Sequence, residues 1–201
     1  MKLLGSSTSP YVRKVRLVLL EKNIPHDYLL DPPTSPDSLV LRVNPLGRIP
    51  ALILDDGFCV FDSPVITDYV DTLNDAPILI PRTDAAARLR VKRWEALADG
   101  IMDSAVVVRT ESIRPVEKQQ AATLELHNIA VTKAVDCAAQ LLGDKTWCEG
   151  ENLTLADLAL VSALLYLDLR QSERNWRGAH PNLAEWFNKM NERASVRETQ
   201  T

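Results

Sequence analysis

The chain has 201 residues, 46% of them hydrophobic and 25% charged, with a net charge of -4. That composition describes an ordinary globular protein able to bury roughly 70% of its unfolded surface, and the negative balance argues against nucleic acid or an anionic membrane as partner. Three scattered cysteines and three scattered histidines make no disulfide framework, CxxC pair or metal-ligand spacing, and no run approaches the ~18 apolar residues of a membrane span.

Leu3-Leu4 reads as a first strand, and Tyr11 to Glu21 as a helix that stops near Asn23 and Pro25. Ser9 is suited to cap that helix and Pro10 to open it, since proline lacks an N–H that the first turn would leave unpaired. Arg13, Lys14 and Arg16 read as a solvated basic face of the helix. His26 to Leu30 is a second strand, broken at Asp31-Pro32-Pro33, and Asp37 to Val43 a short helix ended by Asn44-Pro45. Ala51 to Leu54 and Phe58 to Phe61, joined by Asp55-Asp56-Gly57, read as a hairpin. Ser63 then caps another helix with Pro64 at its first position. The order is β-α-β-α-β-β-α, with strands one and two parallel across a helical crossover and the hairpin antiparallel.

After Pro77 and Pro81 the strand signals vanish. Thr83 or Asp84 caps a helix reaching Val107 or beyond, and Val116 to Leu142 composes another. Thr154-Leu155-Ala156-Asp157 is a start like a capping box, with aspartate in the usual glutamate position. A last helix opens at Pro181 and carries Leu183, Trp186, Phe187 and Met190 as a core-facing stripe. The expected organisation is an α/β domain over 1–76, a linker over 77–83 and an all-helical domain over 84–201. Met1 to Gly5 is too short an apolar run for a signal peptide, so a reducing cytoplasm is the expected compartment.

Three motifs lie in the first sixty-six residues: Ser9-Pro10-Tyr11-Val12-Arg13, then Asn44-Pro45-Leu46-Gly47-Arg48-Ile49-Pro50-Ala51-Leu52, then Phe61-Asp62-Ser63-Pro64. In this order, ahead of a helical domain, they closely resemble the cytosolic glutathione transferases, with a serine where the tau-like classes have serine and the omega-like class cysteine. The resemblance implies a thioredoxin-like N-terminal domain followed by an all-α domain. It also implies a cis peptide bond before Pro50, which would turn the Ile49 backbone toward the cysteinyl backbone of glutathione like an added strand.

By the same resemblance Ser9 is the catalytic residue. Its hydroxyl would donate to the glutathione sulfur and favour the thiolate, helped by the helix N-terminus. Ser6, Ser7 and Thr8 crowd the same loop and leave the donor open among the four hydroxyls. Asp62 would hold the γ-glutamyl ammonium and Ser63 its carboxylate, although Asp62 is shorter than the glutamate many members carry. Arg48 matches a position that meets the glycyl carboxylate in some classes. A second-substrate pocket is expected between the domains, involving Tyr11, Met102 and Val106.

The implied function is addition of glutathione, as co-substrate, to a small hydrophobic electrophile, or reduction of a peroxide, with no tightly bound cofactor and no metal. A homodimer is expected. No cysteine occupies the Ser9 position, which argues against thiol transfer through a mixed disulfide. The alternative is a catalytically weak binding or regulatory protein acting through a protein partner; some transferase-like proteins serve the transcription or translation machinery in this way.

Overall fold

The computed structural model describes residues 1–200. Contacts divide them into two compact units, Met1–Pro81 together with the residues from Arg193 onward, and Arg82–Glu192.

The first unit is built on a four-stranded sheet of order β2-β1-β3-β4, formed by β1 (Lys2–Gly5), β2 (Asp27–Leu30), β3 (Ala51–Ile53) and β4 (Cys59–Val60). β1 and β2 are parallel; β1–β3 and β3–β4 are antiparallel. Side chains alternate faces along a strand. Leu4 and its cross-strand partner Ala51 therefore point one way, where they pack with Val40. Leu3 and its partner Leu52 point the other way, and all of these side chains are fully buried. Between β3 and β4 the chain turns at Asp55-Asp56-Gly57. Gly57 takes φ +88°, a region that suits glycine, and the Asp56 carboxylate accepts from the Phe58 N–H at 2.9 Å.

Three helices are interleaved with the strands: α1 (Pro10–Glu21), α2 (Val40–Val43) and α3 (Ser63–Thr72), with α1 and α3 packed together. α1 ends in a Schellman motif. Ile24 donates to the Leu19 carbonyl at 2.9 Å and Asn23 to that of Leu20 at 3.0 Å, with Asn23 in the left-handed region at φ +52°. Asp62, not Ser63, is the N-cap of α3, and Ser63 is its first residue. Arg13 and Lys14 overturn the reading of a solvated basic face: they are 3% and 0% exposed.

The second unit holds α4 (Ala85–Ser112), α5 (Ala121–Leu142), α6 (Leu155–Arg170), α7 (Trp176–Ala179) and α8 (Pro181–Asn191), with α4 packed on both α5 and α6. Asp84 caps α4, its Oδ1 accepting from Ala86 and Ala87 at 2.9 Å each. The stretch before α5 is not one continuous helix: Val116–Lys118 forms a 3-10 turn, and α5 starts at Ala121. α6 is apolar around nearly its whole circumference and is correspondingly buried. Its start is held by Asp157, whose carboxylate accepts from the Thr154 N–H and hydroxyl at 2.9 and 3.0 Å and from the Cys148 N–H at 2.8 Å.

The residues after α8 depart from the expected boundary. α9 (Ala194–Glu198) packs on α1, so the helical unit ends at Glu192 and the tail belongs with the sheet. The cause is a set of polar contacts to α1 that no periodicity in the tail announces.

Candidate functional site

The sheet register decides where the three motifs go. Leu4 pairs with Ala51 and Leu52 with Val60. The end of β1, the start of β3 and the end of β4 therefore lie at one edge of the sheet. Ser9 follows the first, Ile49-Pro50 precedes the second, and Asp62-Ser63 follows the third. Three segments far apart in sequence thus meet at one end of the first unit.

Ser9 is the N-cap of α1, with extended backbone at φ -76° and ψ 124°. Its Oγ accepts from the Val12 N–H at 3.3 Å and its carbonyl from the Arg13 N–H at 3.0 Å. A hydroxyl oxygen engaged as acceptor keeps its own hydrogen to give outward. Ser6 contributes its carbonyl to the Ser9 N–H at 3.2 Å. Of the four neighbouring hydroxyl residues, Ser9 alone occupies the cap. The approach of β1 to α1 is close: a Cβ on Gly5 would stand 2.6 and 2.7 Å from the two Val12 methyls, so the bare glycine lets strand and helix meet.

The second segment is held by a residue whose importance sequence reading missed. Asn44 is 2% exposed; its Nδ2 donates to the Arg48 carbonyl at 2.8 Å and its Oδ1 accepts from the Leu46 N–H at 3.0 Å. The loop is closed further by Gly47, at φ +59°, donating to the Asn44 carbonyl at 2.9 Å. Beyond it the Ile49–Pro50 peptide bond is cis. Among the described residues the Ile49 N–H and C=O have no partner, and neither has the exposed Arg48 guanidinium. No sequence signal separates an asparagine that stops a helix from one that braces a loop.

At the third segment the Phe61–Asp62 bond is also cis. Asp62 is exposed, and its carboxylate makes no capping bond. Ser63 is 3% exposed at the first position of α3. The edge thus presents an outward hydroxyl at one helix N-terminus, an open backbone edge with a cation beside it, and a carboxylate with a hydroxyl at a second helix N-terminus. Such a set can recognise an extended, peptide-like molecule carrying carboxylates and an ammonium.

Three further candidates come from the helices. Tyr11 is half-buried in the first turn of α1. On α4, Met102 is fully buried and Val106 half-buried. Each unit also carries a cavity. One of about 180 Å³ in the helical unit is lined by Arg90, Arg93, Trp94, Leu141, Lys145 and Glu149. One of about 420 Å³ lies along α1 and the tail, by Glu21, Asn23, Arg193 and Ser195. Among the described residues no group of three or more His, Cys, Asp or Glu side chains could hold a metal ion, and no helix is long and apolar enough to cross a membrane.

Comparison with known proteins identifies the family. Residues 8–73 match the glutathione S-transferase N-terminal domain and residues 97–194 its C-terminal domain. An uncharacterized GST-like protein of Escherichia coli K12, YibF, is 37% identical over 100% of this chain and 98% of its own. The chain belongs to the glutathione S-transferase family. A crystal structure of a glutathione S-transferase from Methylobacillus flagellatus KT, with glutathione bound, is 43% identical and superposes with a TM-score of 0.96 over 99% of this chain and 98% of that one. Elongation factor 1-gamma of Danio rerio is 33% identical over 71% of this chain, a match that spans only 31% of the factor's length. The fold is therefore that of the transferases: a thioredoxin-like unit with a small mixed sheet, and a helical unit.

Proposed function

We propose that the protein is a glutathione transferase of the serine type, with a site similar to those of the tau and omega classes. The convergence of Ser9, Ile49-Pro50 and Asp62-Ser63 at one sheet edge, each with uncommitted hydrogen-bonding groups, carries this reading. The glutathione bound to the Methylobacillus flagellatus relative supports it. In this account Ile49 pairs with the cysteinyl backbone, and Arg48 meets the glycyl carboxylate. Asp62 takes the γ-glutamyl ammonium, and Ser63 with its neighbouring N–H groups takes the γ-glutamyl carboxylate.

The chemistry then belongs to the sulfur. The thiol proton leaves to solvent, and the Ser9 hydroxyl donates to the resulting thiolate, which the N-terminus of α1 stabilises as well. The thiolate attacks an electrophilic carbon; a C–S bond forms, and either a leaving group departs or the electron pair moves into a conjugated acceptor. A peroxide offers the other outlet: the thiolate attacks one peroxide oxygen, an S–O bond forms as the O–O bond breaks, and the alkoxide leaves as the alcohol after taking a proton from solvent. The thiol of a second glutathione then displaces water from the sulfenic acid to give the disulfide. The protein acts as a homodimer in the cytoplasm.

Replacing Ser9 by alanine tests this assignment. Turnover on a panel of hydrophobic electrophiles and peroxides falls while glutathione affinity is retained; unchanged turnover would discard the role. The match to elongation factor 1-gamma favours a second reading, a partner-binding protein with little catalysis. Its mark would be retention of a stoichiometric protein partner with no activity across the same panel.

A further inference from the structure

The tail after α8 is tied to α1 at three levels. At the far end of the helix, Glu21 accepts a fork from Arg193, Nε at 2.9 Å and Nη2 at 2.7 Å, and a further bond from the Ser195 hydroxyl. In the middle, the Arg16 Nη2 donates to the Glu198 carbonyl at 3.2 Å, while its guanidinium lies 4.5 Å from the centre of the Tyr28 ring. At the near end, Arg13, 3% exposed, donates from Nε to the Thr199 carbonyl at 3.2 Å.

Two arginines thus grip the last carbonyls of α9, the end of a helix where partial negative charge collects. Thr199 is fully buried where Arg13 meets it. Arg13 is also the residue whose backbone N–H holds the Ser9 carbonyl. The residue whose side chain takes the final carbonyl of the brace is therefore one helical turn from Ser9, the residue assigned to the sulfur. A hydroxyl donates effectively only over a narrow range of distance and angle, and a site holds that range only when the neighbouring shell fixes it.

We propose that the tail from Arg193 to Thr199 is a working part of the glutathione site, with Arg13 as a positioning residue that sets the first turn of α1 and hence the aim of Ser9. The inference rests on the reading of Ser9 given above. Cutting the brace leaves the sites for the two ends of glutathione in place, because Arg48, Ile49, Asp62 and Ser63 belong to other segments. It loosens the cap, and the bound thiol becomes harder to ionise.

The test is a pH titration of the thiolate absorbance of bound glutathione in the whole protein, with affinity measured by calorimetry alongside. Five variants are compared with the parent: Arg13→Met, Arg13→Lys, Arg193→Gln, a chain ending at Glu192, and Ser9→Ala. The brace predicts that Arg13→Met and the shortened chain raise the bound thiol's pKa by about one unit, about tenfold less thiolate at a fixed pH. Glutathione affinity, measured at a pH below the bound thiol's pKa so that the ligand binds as the thiol, changes by less than about threefold, since the contacts to the ends of the ligand are untouched.

Arg193→Gln, at the partly exposed end of the brace, shifts the titration in the same direction by less, and carries the test if the other two do not fold. Arg13→Lys, which keeps the cation, recovers part of the shift. A role confined to stability would lower the yield of folded protein and leave the titration unmoved. A shift in Ser9→Ala with none in the brace variants would overturn the brace alone. No shift in Ser9→Ala would overturn the Ser9 reading and the brace with it.

Discussion

Glu21 closes α1 and Arg193 follows α8, yet the two meet in a bidentate ion pair across 172 positions of sequence. Neither side chain is fully wet, at 12% and 32% exposed, and the geometry is the parallel fork that favours arginine over lysine. Arg193→Ala should cost about 1–2 kcal/mol, above the usual exposed pair and within the range for hydrogen bonds to charged groups. Urea denaturation measures it, and a cost near zero would show that the tail is held without this pair.

The same pair gives a pH dependence. Burial pushes the Glu21 carboxyl up, but bonds from Arg193 and Ser195 outweigh it, leaving it below its ordinary value. A carboxylate lowered in the folded state stabilises the fold above the unfolded pKa of about 4.3, and that contribution fades as pH falls through the folded value. The stability gap between the parent and Glu21→Gln should therefore be full near neutrality and shrink in acid below about pH 4. A gap that grew on acidification would contradict the assignment.

Asn44 should behave as a brace for the loop ahead of Pro50. Asn44→Ala strands the part-buried Arg48 carbonyl and Leu46 N–H, at about 1–3 kcal/mol. It should also weaken glutathione binding several-fold without moving the bound thiol's pKa, the opposite split from Ser9→Ala. Calorimetry with the thiol titration separates them, and an affinity equal to the parent's would remove Asn44 from the account.

Lys22 and Asp71 form a buried pair, 3.0 Å apart and with side chains 0% and 3% exposed. The ammonium also donates to the Asn74 and Pro77 carbonyls, and the carboxylate accepts from the Leu79 and Ile80 N–H groups. The pair thereby ties α1 and α3 to the segment leaving the first unit. Removing one member of a buried pair leaves the other uncompensated, so Lys22→Met should cost about 3–5 kcal/mol. A loss under about 1 kcal/mol in urea would mean that Asp71 is fully served by its backbone donors.

Much of this was readable in the chain. Apolar runs broken by proline and Asp-Gly marked every strand and helix from β1 to α3, because those residues act locally on the backbone. The Ser9-Pro10 and Ser63-Pro64 pairs signalled two helix starts, although the cap itself fell on Asp62. What the chain hid were long-range polar contacts. Arg13 and Lys14 look like a wet face although both are buried, Arg13 against Thr199 of the tail, and nothing in the last residues says that Arg193 will find Glu21. Asn44 is similarly mute, since its two hydrogen bonds depend on the loop's final shape.

The most direct test of the central claim is calorimetric titration of the protein with reduced glutathione and, separately, with an S-alkylated glutathione. The account predicts that both bind once per chain in the micromolar to low-millimolar range, about -4 to -8 kcal/mol. It further predicts that Asp62→Ala and Ser63→Ala weaken both ligands alike. Absence of heat from either ligand would contradict it and leave the sheet edge as scaffold.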